Sequence, residues 1–322
     1  MNNKLKKLAA TFILSVSILL VSPMVFAAIN VEQTLDLINQ PNIELEVQRG
    51  HVEIIGWNNN SVSVKGQRDE LSQGFIFEQQ GNTLIIEDTL PKSYSSKNKS
   101  GSNLVIFIPN NTQLNATGIS ANYQVKQLNG NINIALVSGN IKAENLTGEI
   151  QLNSKSGSIN AQHLNGTVNL ESISGEITDT HTSGKATYRV VSGNILSKAS
   201  KVTDLAINSV SGDITGTHLS VEKINTVSIS GDIELALSDA ISDAFFDTIS
   251  ADVTLTFHTM PNAAFNIDGA ANGRLNNQLT QDQPIKQAYS LSAKLKFNTG
   301  NAKGNIKINT VSGKIALLKA SK

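Results

Sequence analysis

Apolar and polar residues alternate through the middle of this chain, and the alternation repeats every eighteen residues. Counted from Gly139 as zero, the apolar residues occupy positions +2, +4, +7, +11, +13 and often +16. Steps of two residues predict β-strands, because alternate residues of a strand share a face. The step of three between +4 and +7 breaks this alternation, so we predict a corner there that keeps both residues inside.

Glycine marks the same period. Eight glycines lie nine residues apart, from Gly130 to Gly193, and the sequences around them alternate between two types. The complete unit therefore has two similar halves, and beyond Gly193 it lengthens to nineteen or twenty residues. A last copy of the motif surrounds Gly313. Repetition on this scale is typical of solenoids, propellers and other repeat architectures.

The repeat predicts an all-β fold, a parallel β-helix or β-solenoid with coils of 18 to 20 residues and a cap at each end. Eighteen residues at about 3.3 Å have a contour of about 59 Å, which closes around one core layer between sheets about 10 Å apart. An antiparallel meander is the alternative, because Asn-Gly between apolar residues is a strong hairpin signal. The corner and the similarity between units favour the solenoid, in which equivalent residues stack into ladders.

Serine and glycine at the bends are expected to form one such ladder. Glycine accommodates a positive φ or a close backbone approach. The serine before it can hydrogen-bond within its own turn and to the neighbouring coil. The predicted turn ladder comprises Ser138, Gly139, Ser156, Gly157, Ser174, Gly175, Ser192, Gly193, Ser211, Gly212, Ser230 and Gly231.

Four segments follow from these patterns. Residues 1–27 have the basic, apolar and small-residue regions of a secretory signal peptide, with a retained anchor as the alternative. Residues 28–127 contain short strands without a fixed period and are expected to form irregular β coils and an N-terminal cap, with a mobile loop over 92–103. Residues 128–261 are expected to form the regular solenoid coils. Residues 262–322 are expected to be an insertion loop and a C-terminal β cap rather than a separate small domain.

Several motifs resemble those of a known family. They are the run from Gly50 to Asn58, then Val62-Ser63-Val64, the strand from Leu104 to Pro109, and the repeated Ser-Gly-x-Ile units. They resemble the bacterial putative-adhesin family of β-strand-repeat proteins, a domain family of unknown function, over nearly all of the chain after the signal peptide. The resemblance implies an exported, right-handed β-helical protein. The resemblance identifies no catalytic residue in this chain, because the shared motifs are structural.

Composition narrows the possible functions. The 26 basic and 26 acidic residues give a net charge of zero, which offers no argument for a nucleic-acid partner. Cysteine is absent, which excludes disulfides, thiol nucleophiles and thiolate metal sites. No segment after the signal peptide is long and apolar enough for a membrane helix. We also predict no cofactor.

Two polar columns are the candidate sites. Asp213, Asp232 and Asp252 share position +1 and would stack at about 4.8 Å, where a hard cation such as Ca²⁺ could relieve their repulsion. An exposed acidic ridge is favoured, because the Gly-Gly-x-Gly-x-Asp motif of calcium-binding β-rolls is absent. Three histidines at position +6 are expected to face solvent: His163, His181 and His218.

The sequence therefore predicts an exported, non-catalytic β-solenoid of the periplasm or cell surface, an adhesin-like or scaffold protein. Its long flat polar faces would bind a protein or glycan surface in the cell envelope. The alternative is a polysaccharide-acting β-helix enzyme that uses stacked carboxylates as acid and base.

Overall fold

The structure is a computed structural model that describes residues 29–97, 99–238, 241–269, 274–286 and 292–320. The predicted signal peptide lies outside the described residues. Strands are the only regular secondary structure in the described ranges, so the prediction of an all-β chain is confirmed. Without a helix in those ranges, the structure offers no helical segment that could cross a membrane.

The strands follow one another along the whole chain. The first part forms β1 (Asn30–Asp36), β2 (Asn42–Val47), β3 (Arg49–Trp57), β4 (Ser61–Gln67), β5 (Gly74–Gln80), β6 (Thr83–Thr89), β7 (Ser102–Pro109) and β8 (Asn111–Gly118). The middle forms β9 (Ser120–Leu136), β10 (Ile141–Ser154), β11 (Ile159–Ser172), β12 (Ile177–Thr180), β13 (Ser183–Ser192), β14 (Ile195–Lys198), β15 (Lys201–Ser211), β16 (Ile214–Ser230), β17 (Ile233–Leu237), β18 (Asp243–Ser250) and β19 (Val253–Phe257). The last part forms β20 (Ala263–Gly269), β21 (Leu275–Asn277), β22 (Ile285–Lys286), β23 (Ala293–Asn298), β24 (Gly304–Ser312) and β25 (Ile315–Lys319).

Successive units stack in parallel, so the antiparallel meander is excluded for the repeat region. Ile141 lies beside Ile159 in the next coil and beside Tyr123 in the previous one, an offset of eighteen residues each way. The offset is nineteen between Val202 and Val221. We number nine stacked coils by the residue at their turn, in the order Ala121, Gly139, Gly157, Gly175, Gly193, Gly212, Gly231, Ala251 and Gly313.

The core is built from columns of equivalent apolar residues. The column two residues after each turn is fully buried from Tyr123 through Ile159 and Ile233 to Ile315. The corner predicted between +4 and +7 lies at +6, where Asn145, His163, His181, Ala199 and His218 have φ between 53° and 60°. This left-handed residue turns the strand and keeps +4 and +7 on the inner side.

The apolar residues at +16 do not belong to the core. Ile173 and Val191 are 41% and 46% exposed, and the preceding position +15 points inward instead. That inner position often carries serine: Ser154 Oγ donates a hydrogen bond of 2.9 Å to Gly139 O, and Ser172 Oγ donates one of 3.0 Å to Gly157 O. The turn carbonyls would otherwise be buried without a partner, so a hydroxyl occupies the inner position and the apolar residue lies outside.

The order of strands at both ends differs from their order in the sequence. Strand β3 lies between β7 and β9, and the antiparallel strands β4 and β1 follow outside β7. At the other end β24 lies between β18 and β20, so the C-terminal strand supplies the ninth coil. Strand β20 then pairs with the antiparallel β23 outside it.

A buried ion pair fixes the segment before β7. The Arg49 guanidinium donates to both carboxyl oxygens of Asp69, with 2.8 Å between Nη2 and Oδ1, and to the carbonyl of Ser100 at 2.9 Å. The loop predicted over 92–103 is thus shorter than expected, because Ser102 and Asn103 belong to β7 and Ser100 is bound to Arg49.

Two tyrosines inside the solenoid predict a loss of stability in alkali. Burial raises the pKa of Tyr123 and of Tyr188 far above the ordinary value of 10, and the charge of Asp179 raises that of Tyr188 further. The folded chain therefore keeps both hydroxyl protons above pH 10, whereas the unfolded chain releases them. We expect the free energy of unfolding to fall by about 1.4 kcal/mol per pH unit for each buried tyrosine above about pH 10.

Denaturant unfolding measured from about pH 8 to about pH 11 checks this expectation. Tyr123→Phe should reduce the slope, whereas Tyr94→Phe, at an exposed ring, should leave it unchanged. An unfolding midpoint that stays constant through this range would contradict the expectation.

Candidate functional site

An open groove crosses the outer face of the sheet formed by β13, β15, β16, β18 and β24. Its first wall is the charged column, eight residues before each turn residue of coils 5 to 9: Lys185, Asp204, Lys223, Asp243 and Asn305. Its second wall is the middle column, two residues later in each coil: Thr187, Ala206, Asn225, Phe245 and Lys307. Neighbouring members of each column are one strand spacing apart, about 4.8 Å.

Charge alternates along the first wall. Lys185 Nζ lies 3.7 Å from Asp204 Oδ2, and both side chains are about half exposed, so this pair is weak. Lys223 and Asp243 continue the alternation in the next two coils. The wall therefore presents cations and anions in turn without a net field, and a ligand with several polar groups can engage them one coil at a time.

The apolar surface of the groove belongs to its second wall. Ala206 is half-buried there, whereas Leu205 and Ile224, between the two walls, point inward to the core. Phe245 is half-buried in the second wall, and Lys307 Nζ lies 5.5 Å from the centre of its ring. A charged wall that faces a partly apolar one suits a ligand that has both kinds of surface along its length.

The carboxylates of the predicted acidic column accept hydrogen bonds from backbone N–H groups of the neighbouring coils. Asp213 Oδ1 accepts the N–H of Asp232 at 2.9 Å, and Asp232 Oδ1 accepts the N–H of Asp252 at 3.0 Å. Asp252 Oδ1 accepts the N–H of Lys314 at 2.7 Å, and the ammonium of Lys314 lies 3.6 Å from Asp252 Oδ2. Each carboxylate thus joins its coil to the next one. Across the described part of the chain, no three His, Asp or Glu side chains are grouped to hold a metal ion.

The predicted turn ladder is stacked, but its hydrogen bonds differ from the expectation. The six serines before the turn glycines are exposed, and within the described residues their hydroxyls make no hydrogen bond. Their backbone N–H groups instead connect neighbouring coils: Ser156 N–H donates to Val137 O at 3.1 Å, and Ser174 N–H donates to Lys155 O at 3.0 Å. The glycines are needed for close approach, since a Cβ on Gly157 would lie 1.8 Å from the carbonyl oxygen of Gly139.

Comparison with family models identifies the chain. Residues 41–318 match the model described as Toastrack DUF4097. The chain belongs to this family. The match covers every coil of the repeat together with most of both end regions, so the resemblance noted in the sequence is confirmed.

Three solved structures that are similar to the Toastrack chain are distant from it in sequence. A putative lipid binding protein from Parabacteroides distasonis ATCC 8503 is 12% identical, with a TM-score of 0.44, over 91% of this chain and 97% of that one. A putative adhesin from Parabacteroides merdae ATCC 43184 is 10% identical, with a TM-score of 0.41, over 91% and 96%. A putative adhesin from Bacteroides fragilis NCTC 9343 is 12% identical, with a TM-score of 0.38, over 91% and 98%. No curated protein matches the sequence.

Four of the five histidines of the Toastrack chain lie along one corner of the solenoid. The rings of His163 and His181 stack with their centres 4.9 Å apart, and those of His218 and His258 lie 5.7 Å apart. All four side chains are exposed. The three histidines at +6 thus face solvent, and the fourth, His258, joins them from outside the repeat pattern.

Two features of the Toastrack chain were not predicted from its sequence. The charged column could have been found, because Lys185, Asp204, Lys223 and Asp243 follow one another at the coil period. The other is Asp179, a fully buried carboxylate at core position +4 that accepts hydrogen bonds from Tyr188 at 2.7 Å, Ser197 at 3.0 Å and Ser200 at 2.6 Å, and one from Thr182. Its signal was an acidic residue at a position occupied by alanine in the two preceding coils.

Proposed function

We propose that this Toastrack chain is an exported, non-catalytic binding protein of the bacterial cell envelope that holds an extended glycan along the groove. The observation that carries the proposal is the alternation of Lys185, Asp204, Lys223 and Asp243 beside the apolar side chains of Ala206 and Phe245. A sugar chain offers hydroxyl groups at its edges and apolar ring faces, which match the charged column and the apolar side chains of the second wall. Coils 5 to 9 span about 20 Å, room for several sugar units.

Several features support the non-catalytic part of the proposal. The stacked carboxylates that a polysaccharide-acting enzyme would need are Asp213, Asp232 and Asp252, and one oxygen of each is engaged by a backbone N–H. The basic and apolar pattern of residues 1–27 supports export to the periplasm or cell surface.

We further propose that the coils wind in the right-handed sense, since connections between parallel strands are right-handed in almost all proteins. We also propose that the regular coils extend from residue 128 to residue 261, between an N-terminal and a C-terminal end region. The antiparallel pairs β1–β4 and β20–β23 at the two ends support it, because strands that cover an exposed edge protect it from pairing with other chains.

Binding of envelope polysaccharides to the purified protein tests the glycan proposal. We expect calorimetry to show binding that Lys223→Ala and Phe245→Ala each weaken by about tenfold, the loss of one anchoring contact. Lys198→Ala is the matched control, because this exposed lysine lies in β14, outside the strands that form the groove. Equal affinity in the groove variants would refute the groove. Capture of an envelope protein without any glycan binding would instead assign the face to a protein partner.

A further inference from the structure

An apolar stripe runs along one edge of the solenoid and is separate from the groove. It consists of the outward side chains two residues before each turn residue: Ile119, Val137, Lys155, Ile173, Val191, Val210, Ile229, Ile249 and Val311. Eight of these nine are β-branched and apolar, and each of the eight is between 41% and 73% exposed. Soluble monomers rarely expose so continuous an apolar surface, which is typical of protein interfaces.

A second column borders the stripe on the side of the groove. The flanking column lies four residues before each turn residue: Thr117, Ala135, Asn153, Glu171, Arg189, Asn208, Val227, Asp247 and Asn309. Between this column and the stripe an apolar depression runs from Glu171 to Ile229. Glu171 and Arg189 are neighbours in adjacent coils, yet neither forms an ion pair with any described residue.

We infer that the stripe is the interface of a homodimer in which two copies pack with their coils stacked in opposite directions. The two-fold axis runs parallel to the strands, so the stripe of one copy faces the stripe of the other. Both stripes have the same spacing of about 4.8 Å, so their side chains pack against one another in every coil. Because every coil has this spacing, the apolar side chains would pack equally well if one copy were shifted by a whole coil. The charged residues must therefore determine which coils of the two copies face each other.

The charges select one register. With the axis between coils 4 and 5, Glu171 faces the partner subunit's Arg189, and symmetry repeats this pair. Eight coils of each copy then overlap over about 34 Å. Lys155, the single charge in the stripe, faces the partner subunit's Val210, beside the partner subunit's Asp213.

Neighbouring registers bring like charges together. An axis through coil 5 places Arg189 opposite the partner subunit's Arg189, and Glu176 opposite the partner subunit's Asp213. An axis through coil 4 places Glu171 opposite the partner subunit's Glu171. Like charges in contact disfavour both arrangements, which is how charge specifies the register of an interface.

Sedimentation of the purified chain tests the dimer and its charges. We expect a dimer that Arg189→Glu weakens by about tenfold or more, with the same effect for Glu171→Arg. The double variant Glu171→Arg/Arg189→Glu should restore dimerisation, because the exchanged charges pair again across the axis. Lys198→Glu, in β14 and away from the stripe, should have no effect. A chain that stays monomeric at every soluble concentration would overturn the proposal, including the case in which a different envelope protein covers the stripe.

Engineered cysteines test the register, since the natural chain has none. Val137 lies in coil 2 and Ile229 in coil 7, which face each other in the proposed dimer. Oxidation of a mixture of Val137→Cys and Ile229→Cys chains should give a disulfide-linked dimer on a non-reducing gel. Each variant alone should not, because the two copies of its cysteine are five coils apart. A covalent dimer from Val137→Cys alone would overturn the reversed stacking.

Discussion

Gly175→Ala is expected to destabilise the solenoid by about 3 kcal/mol or more, and to lower the melting temperature by about 2–4 °C for each kcal/mol. A Cβ at this position would lie 2.1 Å from the carbonyl oxygen and 2.4 Å from the carbonyl carbon of Gly157 in the coil below. Those atoms belong to the backbone and cannot move aside as a side chain would. The two coils would have to separate and lose hydrogen bonds between them.

Gly175 does not have a positive φ, so an alanine there would not strain the backbone. The loss of stability would therefore report only the steric clash between the new Cβ and the neighbouring coil. Gly74→Ala is the matched control: it also lacks a positive φ, and its Cβ would meet nothing closer than Thr89 Oγ1 at 4.0 Å. The control should unfold within about 0.5 kcal/mol of the natural chain. Thermal and chemical denaturation of both variants provide the measurement. A Gly175→Ala protein as stable as the Gly74→Ala protein would show that the coils are not packed as tightly as described.

The coil period was predictable because it rests on two local rules. Alternation of apolar residues defines strands, and the break in alternation places the corner between +4 and +7. The short strands before the repeat were also found, since the strand expected from Leu104 to Pro109 lies within β7. These elements depend on residues close in the sequence, where pattern and structure are directly related.

The stacking order at the ends was not predictable in this way. Strand β3 lies between β7 and β9, and β24 lies between β18 and β20, so contacts form between segments far apart in the sequence. The repeat motif around Gly313 matches every coil equally well, and nothing local decides that it stacks on Ala251. Long-range pairing of this kind depends on which edges are free once the other strands have formed.

Near the turn, polar and apolar residues occupy the opposite positions to those expected if apolar side chains always face the core and polar ones face solvent. Ser154 and Ser172 are buried while Ile173 is exposed, because the turn carbonyls need hydroxyl partners inside the solenoid. Asp179 shows the same effect more strongly, since four hydroxyl groups converge on one buried carboxylate. Hydrophobicity places most of this core, but hydrogen-bond satisfaction decides these positions. The exposed stripe is a consequence of that exchange.

Asp69→Ala is expected to cost about 3–5 kcal/mol, the effect of leaving a buried charge without its partner. Arg49 is 8% exposed, and its hydrogen bond to Asp69 is the main cause of the raised pKa of its guanidinium. Without Asp69, the guanidinium would keep the carbonyls of Lys99 and Ser100 as hydrogen-bond acceptors, at 3.3 and 2.9 Å. Neither carbonyl neutralises the charge.

The double variant Arg49→Met/Asp69→Leu should recover much of this loss, because apolar residues of similar volume often replace a buried ion pair at little cost. Recovery should be incomplete, since Asp69 Oδ1 also accepts the N–H of Leu71 at 2.7 Å. Glu32→Ala, which breaks the exposed pair with Lys65 at 3.0 Å, should change stability by less than about 1 kcal/mol.

Denaturant unfolding gives the free energies for these variants. Limited proteolysis gives a second readout, because Asp69 no longer fixes the Arg49 side chain that binds residues 99 and 100, so the segment before β7 should be cleaved faster in Asp69→Ala. If Asp69→Ala were no less stable than the double variant, the ion pair would not anchor this segment. The N-terminal end of the solenoid would then depend on strand pairing alone, through β4 and β7.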